Sequence, residues 1–240
     1  MYEPRTYRHW IKGTGLACYS VTVKETDLQV CTCRELHKEA VSVVRRCRKE
    51  IERYISAHPA FLTSLEPLPL DGTAPAIVQE MMRAGQAAGV GPMASVAGAV
   101  AEAVGRELLA LSPEVIIENG GDIFISSLKT RHTGIYAGKS PFSGKIALEI
   151  KPDDTPAGIC TSSGTVGHSL SFGRADAVIV LAASTALADA AATAICNRVK
   201  EEDNIERELD HLQEIEGLSG AVIIMGKRIG VRGAVKLVPC

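Results

Sequence analysis

Aromatic residues make up only 4% of the 240 residues, and Trp10 is the single tryptophan. A core with so few rings has to be filled by Ala, Val, Ile and Leu. The chain also lacks a strong net charge. Its 26 basic and 28 acidic residues leave −2 with histidines neutral, which argues against a polyanionic partner such as nucleic acid. No CxxC pair occurs among Cys18, Cys31, Cys33, Cys47, Cys160, Cys196 and Cys240, so a zinc site is not expected. Seven is an odd number and argues against a closed disulfide framework. The cysteines read as reduced, mostly buried thiols, with Cys31 and Cys33 alternating onto one face of a strand. The first ten residues, MYEPRTYRHW, lack the apolar stretch of a signal peptide. The longest apolar stretch, from about Met93 to Leu111, is interrupted by Glu102, Arg106 and Glu107 and is short for a membrane span. These absences predict a cytoplasmic soluble protein without a membrane partner.

What is present is ordinary for a folded chain: 46% hydrophobic and 22% charged residues. That excludes a disordered chain. Thr6 to Ile11 and Ala17 to Lys24 read as strands, and Glu25-Thr26-Asp27 as a turn before a strand over Leu28 to Thr32. From Arg34 to Ser56, Leu36, Ala40, Val43, Val44, Cys47, Ile51 and Ile55 recur at helical spacing. Helices follow from about Thr73 to Ala88, over the small residues of Ala94 to Leu111, over Thr185 to Val199 and over Glu201 to Glu216. Strands are expected at Val115 to Glu118, Ile123 to Ser126, Thr133 to Ala137, Lys145 to Ile150, Gly158 to Thr161, Ala177 to Leu181, Ala221 to Met225, Arg228 to Val231 and Ala234 to Val238. No internal repeat is visible. The order predicts an α+β fold rather than regular βαβ winding.

Three polar clusters interrupt these apolar elements. In Glu118-Asn119-Gly120-Gly121-Asp122, two glycines admit positive φ and close backbone approach to a ligand. The same residues could equally form a turn whose Asn and Asp satisfy the backbone. The stretch Thr161, Ser162, Ser163, Gly164, Thr165, Val166, Gly167, His168, Ser169 gathers hydroxyls, glycines and a histidine, with Arg174 and Asp176 close behind. It suits a phosphate or other anion, with His168 as candidate acid or base, or is a flexible polar loop. In Ala188-Asp189-Ala190-Ala191-Ala192-Thr193, the carboxylate of Asp189 and the hydroxyl of Thr193 share a helix face. A carboxylate in an apolar helix has to be paired or metal-bound, and hard oxygens suit Mg²⁺. The competing reading is an acidic residue compensating the helix dipole.

In this order, the clusters resemble the ApbE family of flavin transferases. The matching stretches are Asn119-Gly120-Gly121-Asp122-Ile123, Thr161-Ser162-Ser163-Gly164 and Ala188 to Thr193, with Gly98-Ala99-Val100-Ala101 upstream and Lys12-Gly13-Thr14 faintly similar. The resemblance covers about residues 10 to 200. It implies an α+β fold related to the T-fold, with mixed or antiparallel sheets packed on helices in a single domain. It also implies FAD as cofactor and Mg²⁺-dependent transfer of FMN to a Thr or Ser of a protein acceptor. Carried over, Asp189 and Thr193 correspond to metal ligands, the Ala188 carbonyl to a further one, and Asn119, Gly120, Gly121 and Asp122 to the flavin cleft, with Thr161 to Thr165 beside them. Asp189 and His168 are then the catalytic candidates. Two departures stand out: Glu102-Ala103 occupies the place of the family's Lys-Gly, and Gly167 to Asp176 is more compact than its His-x-x-Asp-Pro stretch. The expectation is a flavin- or nucleotide-binding protein, either a Mg²⁺-dependent FMN transferase or FAD pyrophosphate-cleaving enzyme, or a flavin or metabolite binder that has lost the chemistry. A structural role at an oligomer interface is a third reading, and the small-residue helices leave room for a homodimer.

Overall fold

The computed structural model describes residues 15–166 and 171–240. The expected strand over Thr6 to Ile11, the Lys12-Gly13-Thr14 stretch and His168 lie outside the described residues. Eight strands form one sheet, in the spatial order β1 (Ala17–Val23), β2 (Thr26–Thr32), β3 (Val115–Asn119), β4 (Asp122–Ser126), β7 (Ala157–Ser162), β8 (Ala177–Ala182), β9 (Leu218–Met225) and β10 (Arg228–Gly233). Every neighbouring pair is antiparallel. A second sheet of three strands joins β5 (Arg131–Gly134), β6 (Ile146–Ile150) and β11 (Leu237–Pro239). The helices are α1 (His37–Ala57), α2 (Ala60–Thr63), α3 (Ala76–Ala88), α4 (Val96–Leu108), α5 (Thr185–Arg198) and α6 (Asn204–Asp210). The α+β architecture matches the expectation from sequence.

Alternation along the large sheet explains the layering. In β8, Val178, Val180 and Ala182 join the helical core, whereas Ala177, Ile179 and Leu181 pack toward the small sheet. Strand β9 divides in the same way, with Ala221 and Ile223 on the helix side and Val222 and Ile224 opposite. Because both faces are covered, these strands read as continuous apolar runs rather than alternating ones. Helices, large sheet and small sheet thus form three layers.

The connectivity contains a repetition that the amino-acid sequence conceals. The hairpin β1–β2 leads through α1 to α4 into the hairpin β3–β4, and β7–β8 leads through α5 and α6 into β9–β10. Each half is hairpin, helices, hairpin, and the halves meet where β4 pairs with β7. At that seam Gly158 of β7 faces α5, and a Cβ there would collide with the Thr185 backbone and lie 2.9 Å from its Cβ.

Several boundaries differ from expectation. The first hairpin turns at Lys24-Glu25, with Lys24 at φ +52°, so Thr26 and Asp27 already belong to β2. The segment Glu201 to Glu216 breaks into the short α6 and a 3-10 turn at His211–Glu214. The small-residue helix begins as a 3-10 turn over Pro92–Ser95. The cysteines require a correction: Cys18 and Cys31 are joined by a disulfide, Cα to Cα 4.1 Å. They face each other in the β1–β2 register, a pairing that an odd cysteine count cannot reveal. Strand β2 ends at Thr32, so Cys33 does not share the strand face of Cys31: Cys31 is buried and Cys33 exposed. Of the free cysteines, Cys47, Cys160 and Cys196 are buried. No single helix among the described residues is long and apolar enough to cross a membrane.

Replacing Gly158 by Ala should lower stability by about 1–3 kcal/mol, the usual range for overpacking. A fall in the urea midpoint at unchanged slope is the expected result, and an unchanged midpoint would show that α5 can yield at this point.

Candidate functional site

The site forms at the seam between the two halves, from the tips of β3, β4 and β7 and the first turns of α4 and α5. Gly120 and Gly121 link β3 to β4 with φ +69° and +109°, values that glycine adopts without steric penalty. The pair Asn119 and Asp122 closes this two-residue hairpin. Glu118 Oε1 accepts the Gly121 N–H at 2.9 Å, and Asn119 Nδ2 donates to the Ala97 carbonyl at 3.0 Å. The hairpin is therefore fastened to the start of α4.

Asp122 accepts the Thr161 N–H at 3.3 Å across the β4–β7 seam. Burial raises its pKa well above the usual carboxylate range, and repulsion from Asp189 and Glu118 adds to the rise, while bonds from Cys160 and Thr161 oppose it. Asp189 lies in the second turn of α5 and is also buried. Its pKa is pushed up to about 7, again by burial, with the Ala97 and Gly98 N–H groups acting in the other direction. No lysine or arginine among the described residues forms an ion pair with either carboxyl. Cys160 sits between them in effect: burial raises its thiol pKa well above normal, and both aspartates raise it further. Its Sγ donates to the Thr185 carbonyl at 3.3 Å. The Thr185 hydroxyl is buried and has no hydrogen-bond partner. Two acids, a thiol and an unpartnered hydroxyl are thus buried together, with Glu118 near enough to add to the repulsion on Asp122.

The environment of Asp189 combines the two sequence readings in an unforeseen way. Its Oδ2 accepts the Gly98 N–H at 2.8 Å, so it serves the N-terminus of α4 rather than that of its own helix. Ser95, the residue at the N-cap of α4, makes no side-chain cap bond. The converse contact comes from α4. Glu102 Oε2 accepts the Thr185 N–H at 2.7 Å and the Ala186 N–H at 3.4 Å, at the N-terminus of α5. Arg106 holds the other oxygen of Glu102 through Nε at 2.8 Å and Nη2 at 2.5 Å. Each helix therefore places a carboxylate on the exposed N–H groups of the other, where the helix dipoles favour negative charge. The approach is tight, since a Cβ on Gly98 would collide with the Thr185 carbonyl and lie 2.8 Å from Asp189 Cβ.

The remaining candidates fall as follows. Thr161 donates its N–H to Asp122, and Ser162 is buried against Cys196. Ser163 Oγ accepts the N–H groups of Thr165 and Val166 at 3.1 and 3.0 Å. Gly164 donates to the Ala175 carbonyl and packs on Gly173, where no side chain fits. Thr165 donates its hydroxyl to Asp176 Oδ1 at 2.8 Å. Several polar groups of this loop therefore close the loop on itself. Ala188 is buried in α5, and Thr193, one turn beyond Asp189, is half-buried. Sequence reasoning missed Cys160 and Thr185 as part of the site and registered Glu102 only as a departure. A cysteine in a β7 position that alternates toward the helices was the available signal.

The family described as "AbpE bacteria" matches residues 8–224. The chain belongs to that family. The UPF0280 protein of Methanocaldococcus jannaschii is 42% identical over 221 residues, 90% of either chain, and that of Methanosphaerula palustris is 44% identical over 202 residues, 84% of this chain and 82% of the relative. Among solved structures, the flavin transferase ApbE from Vibrio cholerae aligns with a TM-score of 0.60 at 14% identity, over 93% of this AbpE-family chain and 96% of that one. The flavinyl transferase ApbE of Pseudomonas stutzeri aligns at 0.55 and 15%, over 90% and 93%. The fold of the AbpE-family chain is thus the ApbE fold.

Two predictions follow from the carboxylates. Glu102→Ala strands the N–H groups of Thr185 and Ala186 and should cost about 1–3 kcal/mol, whereas Glu102→Gln, which keeps an acceptor, should lose less; urea unfolding of both ranks them. The second concerns pH. A carboxyl whose pKa is higher folded than unfolded gives its full contribution below the unfolded value near 4 and loses it as pH rises through the folded value, for Asp189 about 7. Asp122→Asn removes one acid and its repulsion, so the variant should gain on the parent in unfolding midpoint between pH 5 and 8. A parallel pH dependence of the two proteins would contradict the raised pKa values.

Proposed function

We propose that this chain binds a flavin nucleotide, FAD in the first place, together with Mg²⁺, at the seam between β4, β7 and the N-terminal turns of α4 and α5. One observation carries the reading: Asp122 and Asp189 are buried close enough to repel, and no lysine or arginine among the described residues pairs with either. A buried acid pair either keeps protons or takes a cation. The donors at hand are oxygens, which suit a hard cation. Asp189 and Thr193 would hold it, with the Ala188 carbonyl as a further oxygen. The described residues contain no cluster of three or more His, Cys, Asp or Glu arranged for a metal. A cation here would therefore complete its shell with water and ligand phosphate, as Mg²⁺ does.

When bound, Mg²⁺ would supply stabilisation of charge on a cleaving pyrophosphate. The chain's own residues do the rest. The Gly120-Gly121 turn leaves backbone room for the ligand, and Asn119 fixes that turn to α4. Asp189 is oriented by the Gly98 N–H. Asp122, whose pKa burial and the neighbouring Asp189 raise well above the usual carboxylate range, is able to hold a proton at its carboxyl and to release it. The relatives' printed names as flavin transferases support the ligand class. His168 remains the candidate acid or base of the neighbouring loop, and a protein Thr or Ser the candidate acceptor. The reading treats the chain as one domain, because the candidate residues come from both halves.

A second reading is favoured by Glu102. It occupies the place of the family's lysine, and its carboxylate is committed to the α5 N-terminus. A protein that retains the flavin cleft without the transfer chemistry is consistent with that exchange.

Mass spectrometry of natively purified protein should reveal a flavin or other nucleotide, and titration with FAD should show tighter binding with Mg²⁺ than without. Asp189→Asn keeps an acceptor for Gly98 and should reduce the Mg²⁺-dependent part of binding by about tenfold. Absence of nucleotide binding in both conditions would overturn the proposal. Binding with intact FAD after incubation with Mg²⁺ and acceptor peptides would select the second reading.

A further inference from the structure

We propose that β10 is a dimerisation edge: it pairs antiparallel with β10 of a second copy, about a two-fold axis at Gly230. The two eight-stranded sheets then become one. The edge carries no residue of the flavin site.

The first support is an open edge. Strand β10 ends the large sheet and is hydrogen-bonded only to β9. The phase of this ladder is fixed at both ends. Arg228 pairs with Met225 across a two-residue turn, and the residues flanking such a turn form a hydrogen-bonded pair. In the same phase, Ala234 donates its N–H to the Ser219 carbonyl at 2.8 Å. Arg228, Gly230 and Arg232 therefore direct their N–H and C=O groups at β9, whereas those of Ile229 and Val231 point outward. No strand among the described residues lies on that side to bond them. At the opposite end of the sheet, Leu16 and Cys18 have further partners.

The second support is the absence of protection. Soluble proteins blunt an open edge with proline, a bulge or free charge. Strand β10 contains no proline, and its register with β9 runs without a shift. Its two arginines are already paired, Arg228 with Glu202 at 3.0 Å and Asp203 at 2.8 Å, and Arg232 with Asp210. Val231 leaves a large apolar side chain exposed on this edge.

The third support is self-complementarity, which selects a second copy as the occupant. Antiparallel pairing about Gly230 sets Ile229 opposite Val231 of the second copy, and Val231 opposite its Ile229. Both are then hydrogen-bonded pairs, and every outward N–H of these residues meets a carbonyl. The same pairs bring β-branched side chains together on the face of the small sheet, where Ile229 already packs. On the other face the axis passes between two glycines. Gly230 lies against Ile205 and Leu209 of α6 and has no side chain to obstruct the second copy. An axis at Val231 would instead oppose Ile229 to Gly233, whose carbonyl is taken by the Val235 N–H. Two-fold pairing of one surface with itself also closes the assembly and leaves no further edge of this kind.

Sedimentation velocity of the full chain over a wide concentration range tests the pairing. Monomer should convert to dimer as concentration rises, and the dimer should persist in high salt, because backbone and apolar contacts hold it. Val231→Pro removes an outward N–H and no bond to β9, so it should weaken association by about tenfold or more while the monomer stays folded. Val231→Lys, which keeps the backbone intact, should also weaken association by setting a charge against Ile229 of the second copy. Mixed Ile229→Cys and Val231→Cys proteins, equilibrated with oxidised glutathione, should yield a 229–231 link on peptide mapping, since hydrogen-bonded antiparallel neighbours lie about 5.5 Å apart. Monomer at every concentration, unchanged association of Val231→Lys, or absence of the 229–231 link would each overturn the proposal.

Discussion

The arrangement rests on two carboxylates exchanged between two helices. Asp189 of α5 receives the first free N–H groups of α4, and Glu102 of α4 receives those of α5. Helix N-termini buried without acceptors are costly, and here each helix solves the problem of the other. The exchange also explains the small residues. Only a glycine at position 98 lets the helices approach closely enough for the carboxylates to reach. Packing and polar satisfaction are therefore one constraint rather than two.

This constraint places the reactive groups. Fixing α5 against α4 sets Asp189 over the end of β4, where Asp122 projects from the glycine hairpin, and Cys160 and Thr185 fill the space beside them. The price is a pair of carboxyls with raised pKa values in an apolar interior. Serving the N-terminus of α4 needs only the acid at position 189. The second acid at position 122 has no helix terminus to serve, and its burial beside the first is the physical ground of the cation proposal.

Much of the fold was legible in the amino-acid sequence because each element carried a local signal. The periodicity from Leu36 to Ile55 gave α1, and Gly120-Gly121 between apolar runs gave the β3–β4 hairpin with positive φ at both glycines. Long-range pairing was not legible. Nothing local tells that Cys18 and Cys31 meet, that β4 pairs with β7 across a 30-residue excursion, or that the chain repeats hairpin, helices, hairpin with unrelated residues. For the site, Asp122 and Asp189 were both singled out from sequence, and the structure places them near enough for their charges to repel. The contact of the Asp189 carboxylate with Gly98 was not among the readings, since an acidic residue inside a helix suggests its own dipole or a metal before the N-terminus of another helix. The hydroxyls of Thr161 to Thr165 looked available for an anion. Ser163 and Thr165 are partly spent on the loop itself, as Ser and Thr side chains near turns often are.

The reciprocal contacts have the same spacing on both helices: Gly98 to Glu102 on one, Thr185 to Asp189 on the other, four residues in each case. Each helix thus offers an N–H and, one turn later on the same face, a carboxylate. A single-residue insertion or deletion inside either interval would rotate the carboxylate by about 100° away from its target. An added or deleted residue in a loop leaves these contacts in register, whereas one inside either five-residue interval does not. They act as a ruler for the molecule, and the two halves must be measured against it together.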